Sequence, residues 1–380
     1  MNSLLRLAGT RLFYGIITLF VVSVVIFFAV ELLPGDVAQQ ILGRDATPET
    51  LAALRDRLGL NDPAILRYLS WLHGILQGDL GASLVTGRPI SDLVIGRLGN
   101  TLFLAAFAAI VAIPLALFLG VMAALYRDTW FDRTINTVTL AAISLPEFFI
   151  AYILVLFFSI GFSFQMSGPL AVIAAFVLLA LLRGILQARR TGETSGIQLV
   201  MAVVFLLILL NGYFRFVPLT TEPMRVLPSL SRMSEDANFG ERIFNSILPM
   251  LTLVLVTTAY TMRMTRANIV NILSAPYIEM ATLKGVPPAR IIFWHALPNA
   301  WAPIINVVAL TLAYLITGVV VVEAVFVYPG LGQLLVDSVA KRDITMVQAC
   351  CLIFAAAYVL LNMMADIFAI ATNPRLLHPK

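Results

Sequence analysis

The side chains that most often carry chemistry are few in this sequence and stand far apart. The three histidines lack the spacing of metal ligands, and the two cysteines are adjacent within an apolar segment, where small buried hydrophobes are expected. No lysine follows the glycine that a phosphate-binding loop requires. These residues are His73, His295, His378, Cys350, Cys351, Lys284, Lys341 and Lys380. The sequence therefore predicts no catalytic centre, no cofactor and no metal site.

Acidic residues within apolar segments form a second group, because a carboxylate inside a membrane is costly and is a candidate functional group. Glu147, Glu323 and Asp366 are of this kind. The first two are expected near helix ends, where water reaches them. Asp366 lies one turn from Asn362, so both are predicted to face the interior of a helix bundle. A proton relay is one interpretation, but a structural acid beside a polar neighbour is the one that we favour.

A polar stretch between two apolar segments carries the start and stop signals of a short helix. Ser274 is predicted to cap its amino terminus, Pro276 to occupy its first turn and Gly285 to end it in the left-handed conformation. Glu279 in the first half and Lys284 in the last turn both suit the helix dipole.

After Pro287 and Pro288 a second short helix is predicted from Ala289 to Trp294, and residues 295–299 then lead back into the membrane. A free helix of about ten residues is marginal in water, so this pair is expected to be stabilised by docking. From physics alone, an ordinary loop with one helical turn explains the same stretch equally well.

Membrane-spanning helices are the elements that must position these residues. The chain has 380 residues, of which 60% are apolar and 12% charged, and its mean hydropathy is +0.94. A soluble domain is about half apolar and a quarter charged. Segments of about 20 apolar residues, enough to cross the hydrocarbon core, lie near 12–32, 98–125, 135–163, 168–186, 197–217, 245–265, 301–325 and 348–372. The predicted fold class is an all-α polytopic membrane protein with eight spanning helices.

The net charge of +4 comes from scattered arginines that form no cluster, so nucleic-acid binding is not expected.

The first apolar run is longer than the core of roughly 7–15 residues in a secretory signal, and it is expected to be retained. Lys and Arg divide almost evenly between the two sides, but short segments near helix ends weigh most in setting orientation. Those predicted to be cytoplasmic contain Arg127, Arg133, Arg189, Arg190, Arg263, Arg266, Lys284 and Arg290. Both termini are therefore predicted to be cytoplasmic.

The stretches 33–97 and 218–244 are then expected outside the membrane. Within the first, two short amphipathic helices are predicted. One begins after Thr47 and is ended by Gly59, and the other runs from Pro63 to Ile75.

The polar stretch also resembles the conserved loop of ABC importer permeases, which reads Glu-Ala-Ala, three residues, Gly, nine residues, Ile, one residue, Leu-Pro. This sequence has, at the same spacing, Glu279, Met280, Ala281, Gly285, His295, Leu297 and Pro298. Met280 and His295 depart from the general pattern. A histidine at that place, followed by Asn299, is typical of the peptide-permease branch.

Other segments match the same branch in order along the chain. They are 33–36, 78–83, 97–102, 144–148, 329–332 and 342–343 with Gln348. The resemblance covers about residues 1–164 and 243–375. The chain is thus similar to the inner-membrane permeases of the dipeptide/oligopeptide, binding-protein-dependent ABC importers. The resemblance implies a type I importer core of six transmembrane helices, in which the short helix is a coupling helix seated on a cytoplasmic ATPase.

The resemblance also implies the partners of the chain. They are a second homologous permease subunit, two cytoplasmic ABC ATPase subunits, an extracytoplasmic solute-binding protein and the lipid bilayer of a bacterial inner membrane. ATP hydrolysis would then belong to the ATPase subunits, and this chain would be a multi-pass transport subunit rather than an enzyme. Di- or oligopeptides, or a related small solute, are the expected substrates, and the sequence does not choose among them.

Residues 165–242 do not fit the six-helix core and are predicted to be an inserted transmembrane hairpin. The expected organisation is a first helix with an extracytoplasmic helical loop at 1–96, followed by a permease domain at 97–375 that contains this hairpin and a coupling loop at 266–300. The main alternative function is a secondary transporter driven by an ion gradient. It requires paired intramembrane charges and broken helices in repeated halves, and neither is found in the sequence. A membrane scaffold would leave the coupling stretch unexplained.

Overall fold

The computed structural model describes residues 2–32, 37–42, 46–57, 59–161, 227–231 and 238–372. The chain divides into one compact unit made of Met1–Val155 and Leu227–Lys380, and a second unit, Leu156–Val226. The described part of the second unit is one π-helical turn, Leu156–Gly161. The predicted spans near 168–186 and 197–217 lie outside the described residues.

The first unit is built from helices. The helices of its amino-terminal segment are α1 Asn2–Glu31, α2 Val37–Leu42, α3 Pro48–Arg57, α4 Ala64–Leu76, α5 Ile90–Leu125, α6 Trp130–Ser144 and α7 Glu147–Val155. The helices of its carboxyl-terminal segment are α8 Phe239–Leu273, α9 Pro276–Leu283, α10 Leu297–Phe326, α11 Leu331–Lys341 and α12 Ile344–Thr372. In the described part of the chain, the extended structure is limited to one isolated bridge between Ala82 and Pro89. The predicted all-α class is confirmed.

Among the described residues, five helices are long and apolar enough to cross a membrane: Gly9–Glu31 within α1, Ile90–Leu125, Phe239–Leu273, Pro303–Phe326 within α10 and Ile344–Ala365 within α12. They match the predicted segments near 12–32, 98–125, 245–265, 301–325 and 348–372. The sixth predicted segment in the described part of the chain, near 135–163, is not one continuous helix. That segment is broken between Ser144 and Glu147, where the chain turns by 104°, and counting the bent pair as one span gives a sixth.

The break has a local cause. Pro146 has no backbone N–H to donate and disfavours a helical conformation in the residue before it. Leu145 is accordingly extended, with φ −92° and ψ 135°. The Ser144 hydroxyl donates to the Leu140 carbonyl at 2.8 Å, a side-chain bond within the last turn of α6. The described part of the chain thus contains one broken span, which the sequence did not indicate.

Helices α5 and α8 pack in close contact near the centre of the unit. A Cβ on Gly120 of α5 would lie 2.9 Å from the Met262 carbonyl oxygen of α8, so only glycine fits there. Buried side chains of α5, α7, α8, α10 and α12 meet in one core, in which Leu104, Leu253 and Leu315 are almost completely shielded. Many of the α5 residues in this core are alanines, and small residues of this kind let membrane helices approach closely.

The α1 helix packs along α12, where a Cβ on Gly15 would lie 3.0 Å from Val359. Its carboxyl-terminal half also holds α4, because the Ser23 and Tyr68 hydroxyls are 2.9 Å apart and Glu31 forms an ion pair with Arg67. Both short helices predicted in this region are confirmed as α3 and α4. The turn after α3 has Gly59 at φ +63°, as a helix-terminating glycine requires.

Candidate coupling loop and membrane chamber

The loop between α8 and α10 begins with a helix boundary that differs from the predicted one. Helix α8 continues to Leu273, so Ser274 belongs to its last turn, and its hydroxyl contacts the Val270 carbonyl at 3.3 Å. The N-cap of α9 is Ala275, with φ −78° and ψ 145°, and Pro276 follows in the first turn. The prediction that Ser274 caps α9 is wrong, because the preceding helix already uses this residue.

The end of α9 is as predicted. Gly285 has φ +76°, and its N–H donates to the Thr282 carbonyl at 2.9 Å. The next residue, Val286, donates to the Ala281 carbonyl at 3.2 Å, and together these bonds satisfy carbonyls at the helix end. Nothing lies within 4 Å of a Cβ placed on Gly285, so the backbone conformation, rather than space, favours glycine there.

The second arm of the loop is continuous with the membrane helix that follows. One α-helical turn at Pro288–Arg290 passes into a π-helical turn at Ile291–Ala296, and this joins α10 directly. The predicted helix Ala289–Trp294 is thus part of a longer element, with Leu297 and Pro298 in the first turn of α10. The His295 backbone carbonyl accepts a hydrogen bond from the Asn299 side chain at 2.8 Å.

The two arms of the loop pack against each other and form one folded unit. Ile278 of α9 is buried against Ile291 and Ala296 of the second arm, and Ala281 is packed at the edge of this cluster. The small Ala281 side chain therefore allows close approach of the second arm. Glu279, Met280, His295 and Pro298 are exposed, whereas Leu297 is partly buried against the end of α8.

Five apolar side chains of this loop are exposed. They are Tyr277, Met280 and Leu283 on α9 and Phe293 and Trp294 on the second arm. The loop is thus held together by an internal apolar cluster and also presents an apolar outer surface, which we call the loop face.

Two turns before the end of α8, an ion pair joins this helix to α6. The Arg266 guanidinium donates to both carboxylate oxygens of Asp132, at 2.6 and 2.7 Å. The Asp132 carboxylate also accepts hydrogen bonds from the Asp128 N–H at 3.0 Å and from the Asn136 side chain at 2.6 Å. Both of its oxygens are therefore fully hydrogen-bonded. Sequence reasoning considered Arg266 only as an orienting charge and overlooked Asp132, since no spacing rule links residues this far apart.

At the opposite end of the helices, several of the quoted motifs come together in what we call the motif cluster. The Thr101 hydroxyl donates to Glu323 at 2.6 Å and accepts from the Leu331 N–H at 2.8 Å. The Gly332 N–H donates to the other oxygen of Glu323 at 2.7 Å. Glu323 is therefore the anionic cap of α11, at the end where a helix favours negative charge. It lies one turn from the end of α10, as expected, but it is fully buried rather than reached by water.

Two further contacts complete this cluster. The Asn100 side chain donates to the Pro329 carbonyl at 2.8 Å, and the Ser83 hydroxyl donates to the Asp343 carboxylate. The segments 78–83, 97–102, 329–332 and 342–343, which are remote in sequence, are thus neighbours in space.

A cavity of about 730 Å³ opens at the break between α6 and α7, and we call it the membrane chamber. Pro146 and Glu147 line it from the break, Tyr260 from α8, Thr311 and Tyr314 from α10, and Tyr358 from α12. The Tyr314 hydroxyl donates to the Glu147 carboxylate. Sequence reasoning identified Glu147 but not the chamber, because the aromatic residues come from three other helices.

The Asp366 side chain lies outside the described residues. Among those residues, no group of three His, Cys, Asp or Glu side chains could hold a metal ion.

Five continuous spans, a sixth broken one and a folded loop between two of them define a polytopic α-helical membrane subunit. Residues 116–378 match the family described as "Binding-protein-dependent transport system inner membrane component", and residues 4–105 match its amino-terminal companion, "Binding-prot-dependent transport system membrane comp, N-term". The chain belongs to this family.

Curated relatives agree with this assignment. The chain is 30% identical over 364 residues to the glutathione transport system permease protein GsiC of Escherichia coli (strain K12), which covers 96% of each protein. It is also 30% identical over 366 residues to the probable peptide ABC transporter permease protein y4tP of Sinorhizobium fredii, covering 96% of this chain and 97% of the relative. The resemblance to peptide-class permeases is confirmed. The chain is a multi-pass inner-membrane permease subunit of a binding-protein-dependent ABC importer and is not itself an enzyme.

Proposed function

We propose that this subunit forms one half of the transport path for short peptides or a glutathione-like solute, and that its loop at 266–300 couples the path to a cytoplasmic ATPase. The second half of the path is a homologous permease subunit, and two ATPase subunits lie below the pair. A solute-binding protein delivers substrate from the other side. The substrate class is inferred from the names of the relatives, which refer to glutathione and to peptides.

The observation that carries the coupling role is the loop face. Met280 is 56% exposed, Leu283 77% and Trp294 76%, although the loop beneath them is ordered by its own buried cluster. Exposed apolar side chains on a folded surface are typical of a protein-binding site. An amphipathic helix whose outer side is apolar fits a groove on a partner.

Each residue of the coupling motif has a role in this proposal. Exposed Glu279 offers a charge to an arginine or a backbone N–H of the ATPase, and flexible Met280 adapts to the groove. Ala281 and Gly285 set the shape of α9 and its exit. His295 presents an exposed ring beside the loop face, and Leu297 with Pro298 joins the loop to α10, so that movement of the loop moves a membrane helix.

The proposed topology has both termini in the cytoplasm, with α3, α4 and the motif cluster on the outer side. It is supported by the course of α10, whose 30 residues extend for about 45 Å from the loop to the motif cluster. The two ends of this helix therefore lie near opposite faces of a bilayer. We retain the division into 1–96 and 97–375, with six core helices and an inserted hairpin at 165–242 that brings the total to eight.

The coupling role is tested by placing a charge on the loop face. Leu283→Glu should reduce copurification of the ATPase at least tenfold, because a carboxylate would be desolvated in the interface. Leu76→Glu is the matched control, since Leu76 is also 77% exposed but lies on α4 at the other end of the molecule. Full recovery of the ATPase with the Leu283→Glu protein would contradict the proposal. The substrate class is tested by uptake of Ala-Ala and of glutathione into vesicles that contain the complete importer.

A further inference from the structure

The membrane chamber lies at mid-depth in the helices that form it. Tyr314 is at the centre of the span Pro303–Phe326, and Tyr260 is close to the centre of α8. The break between α6 and α7 brings the first residue of α7, Glu147, to the same level. In transporters, broken helices near the bilayer midplane are a common setting for substrate sites.

Glu147 is held in place but is not neutralised by a cation. The Tyr314 hydroxyl donates to its Oε1, and no ion pair to Glu147 occurs among the described residues. The geometry depends on Gly318, one turn along α10, where a Cβ would lie 3.4 Å from Oε1 and 3.3 Å from the Tyr314 ring. A positioned carboxylate in a membrane cavity, without a counter-charge among the described residues, is what a cationic ligand requires.

The walls around Glu147 restrict which cation fits. A chamber lined by one carboxylate, with tyrosine and threonine side chains as its other oxygen donors, is too poor in anionic oxygens for a divalent metal, which takes about six or more ligands. Tyr260, Tyr314 and Tyr358 also line the chamber, and aromatic side chains attract an organic ammonium group. The cavity volume lies within the usual range for small-molecule sites, about 300–1,000 Å³, and has room for more than an amino group.

We propose that the membrane chamber is a substrate subsite in which Glu147 binds the amino-terminal ammonium of a peptide, oriented by Tyr314 and surrounded by the tyrosine rings. The proposal rests on the proposed peptide or glutathione transport, and it specifies which end of the substrate this subunit holds. Tyr260 and Tyr358 remain half exposed at the open side of the chamber. That side faces out of the chain, where a second permease subunit would close it.

The test uses the complete importer in lipid nanodiscs, without the solute-binding protein, so that binding reports the permease alone. The probes are radiolabelled Ala-Ala, glutathione and N-acetyl-Ala-Ala, which lacks the ammonium group. Glu147→Gln should weaken the binding of Ala-Ala and glutathione at least tenfold, because a charge-assisted hydrogen bond is lost. It should leave the weak binding of N-acetyl-Ala-Ala unchanged. Glu147→Asp should retain most of the discrimination between the free and acetylated peptides.

Two controls separate ligand recognition from folding. Glu49→Gln, on exposed helix α3, should bind all three probes like the unchanged protein. Tyr314→Phe should reduce the preference for the free amino group less than Glu147→Gln does, while the assembled complex is recovered in equal amount. Equal binding of Ala-Ala by the unchanged and Glu147→Gln complexes would overturn the proposal, as would equal affinity of the unchanged complex for the free and acetylated peptides.

The proposed function has a separate readout. Uptake of Ala-Ala or glutathione by vesicles that contain the binding protein, together with no binding of either by the permease complex, would overturn the subsite and leave the transport function in place. Absence of uptake of both probes by the unchanged importer would overturn the substrate class itself.

Discussion

Asp132 and Arg266, which are separated by 133 residues in the sequence, form a bidentate ion pair that ties the start of α6 to the last turns of α8. Asp132 is 3% exposed, and α8 leads directly into the coupling loop. The ion pair therefore fixes the position of α8, the helix that leads into the loop.

Asp132→Asn should destabilise the subunit by about 2 kcal/mol, because the partly buried Arg266 guanidinium loses its charged partner. Thermal unfolding of the purified complex in detergent would measure the loss. Asp128→Asn is the matched control, since the Arg127–Asp128 pair is exposed and its atoms are 3.4 Å apart. Such a pair contributes no more than about 1 kcal/mol. A similar loss in both variants would contradict the structural role of Asp132.

Gly332→Ala should destabilise the motif cluster by about 3 kcal/mol. The added Cβ would lie 2.6 Å from the Val320 Cα, which belongs to the backbone and cannot move aside easily. Gly99→Ala on α5 is the control, because nothing lies within 4 Å of its Cβ, and alanine is favoured over glycine in a helix. The yield and melting temperature of the two variants should change in opposite directions.

Gly285→Val should abolish uptake while the complex still assembles and hydrolyses ATP. An L-residue in the left-handed conformation costs about 1–2 kcal/mol, and a β-branched one is strained further. Gly285→Asn should retain uptake, since asparagine tolerates this conformation. Parallel assays of uptake and ATP hydrolysis in proteoliposomes would distinguish the two variants, and normal uptake by Gly285→Val would refute the idea that shape transmits the motion.

The proposed orientation predicts which exposed positions react from outside the cell. A cysteine at Gln77, after α4, should be labelled by an impermeant thiol reagent in whole cells, and one at Thr282 in the loop should react only after the membrane is opened. Both require a background in which Cys350 and Cys351 are replaced by alanine. The reverse labelling pattern would invert the proposed topology.

Local chemistry made some elements predictable. Gly59 and Gly285 end their helices in the left-handed conformation, as read from the sequence, because that preference belongs to the residue itself. Prolines were harder to interpret. Pro114, Pro249 and Pro303 lie inside continuous helices, whereas Pro146 marks a break of 104°. Whether a proline breaks a membrane helix depends on how neighbouring helices and polar side chains satisfy the backbone carbonyls that lose their hydrogen-bond donor. The sequence of a single segment does not specify this.

Contacts between distant segments were not predictable for a similar reason. The ion pair between Asp132 and Arg266 and the hydrogen bond between Thr101 and Glu323 join residues that no periodicity connects. Glu323 was expected to meet water because it is near a helix end. It is buried because α11 folds back and supplies its own N–H groups.

Helix α10 carries a residue at each of the three places described above: Leu297 at the loop, Tyr314 in the chamber and Glu323 in the motif cluster. A ligand that moves this helix at mid-depth also changes the energy of its two ends. By thermodynamic linkage the effect is mutual. If the ATPase binds the loop and cargo binds the chamber, as proposed, binding of the ATPase would alter the affinity of the chamber for its cargo by the same factor by which that cargo alters the binding of the ATPase.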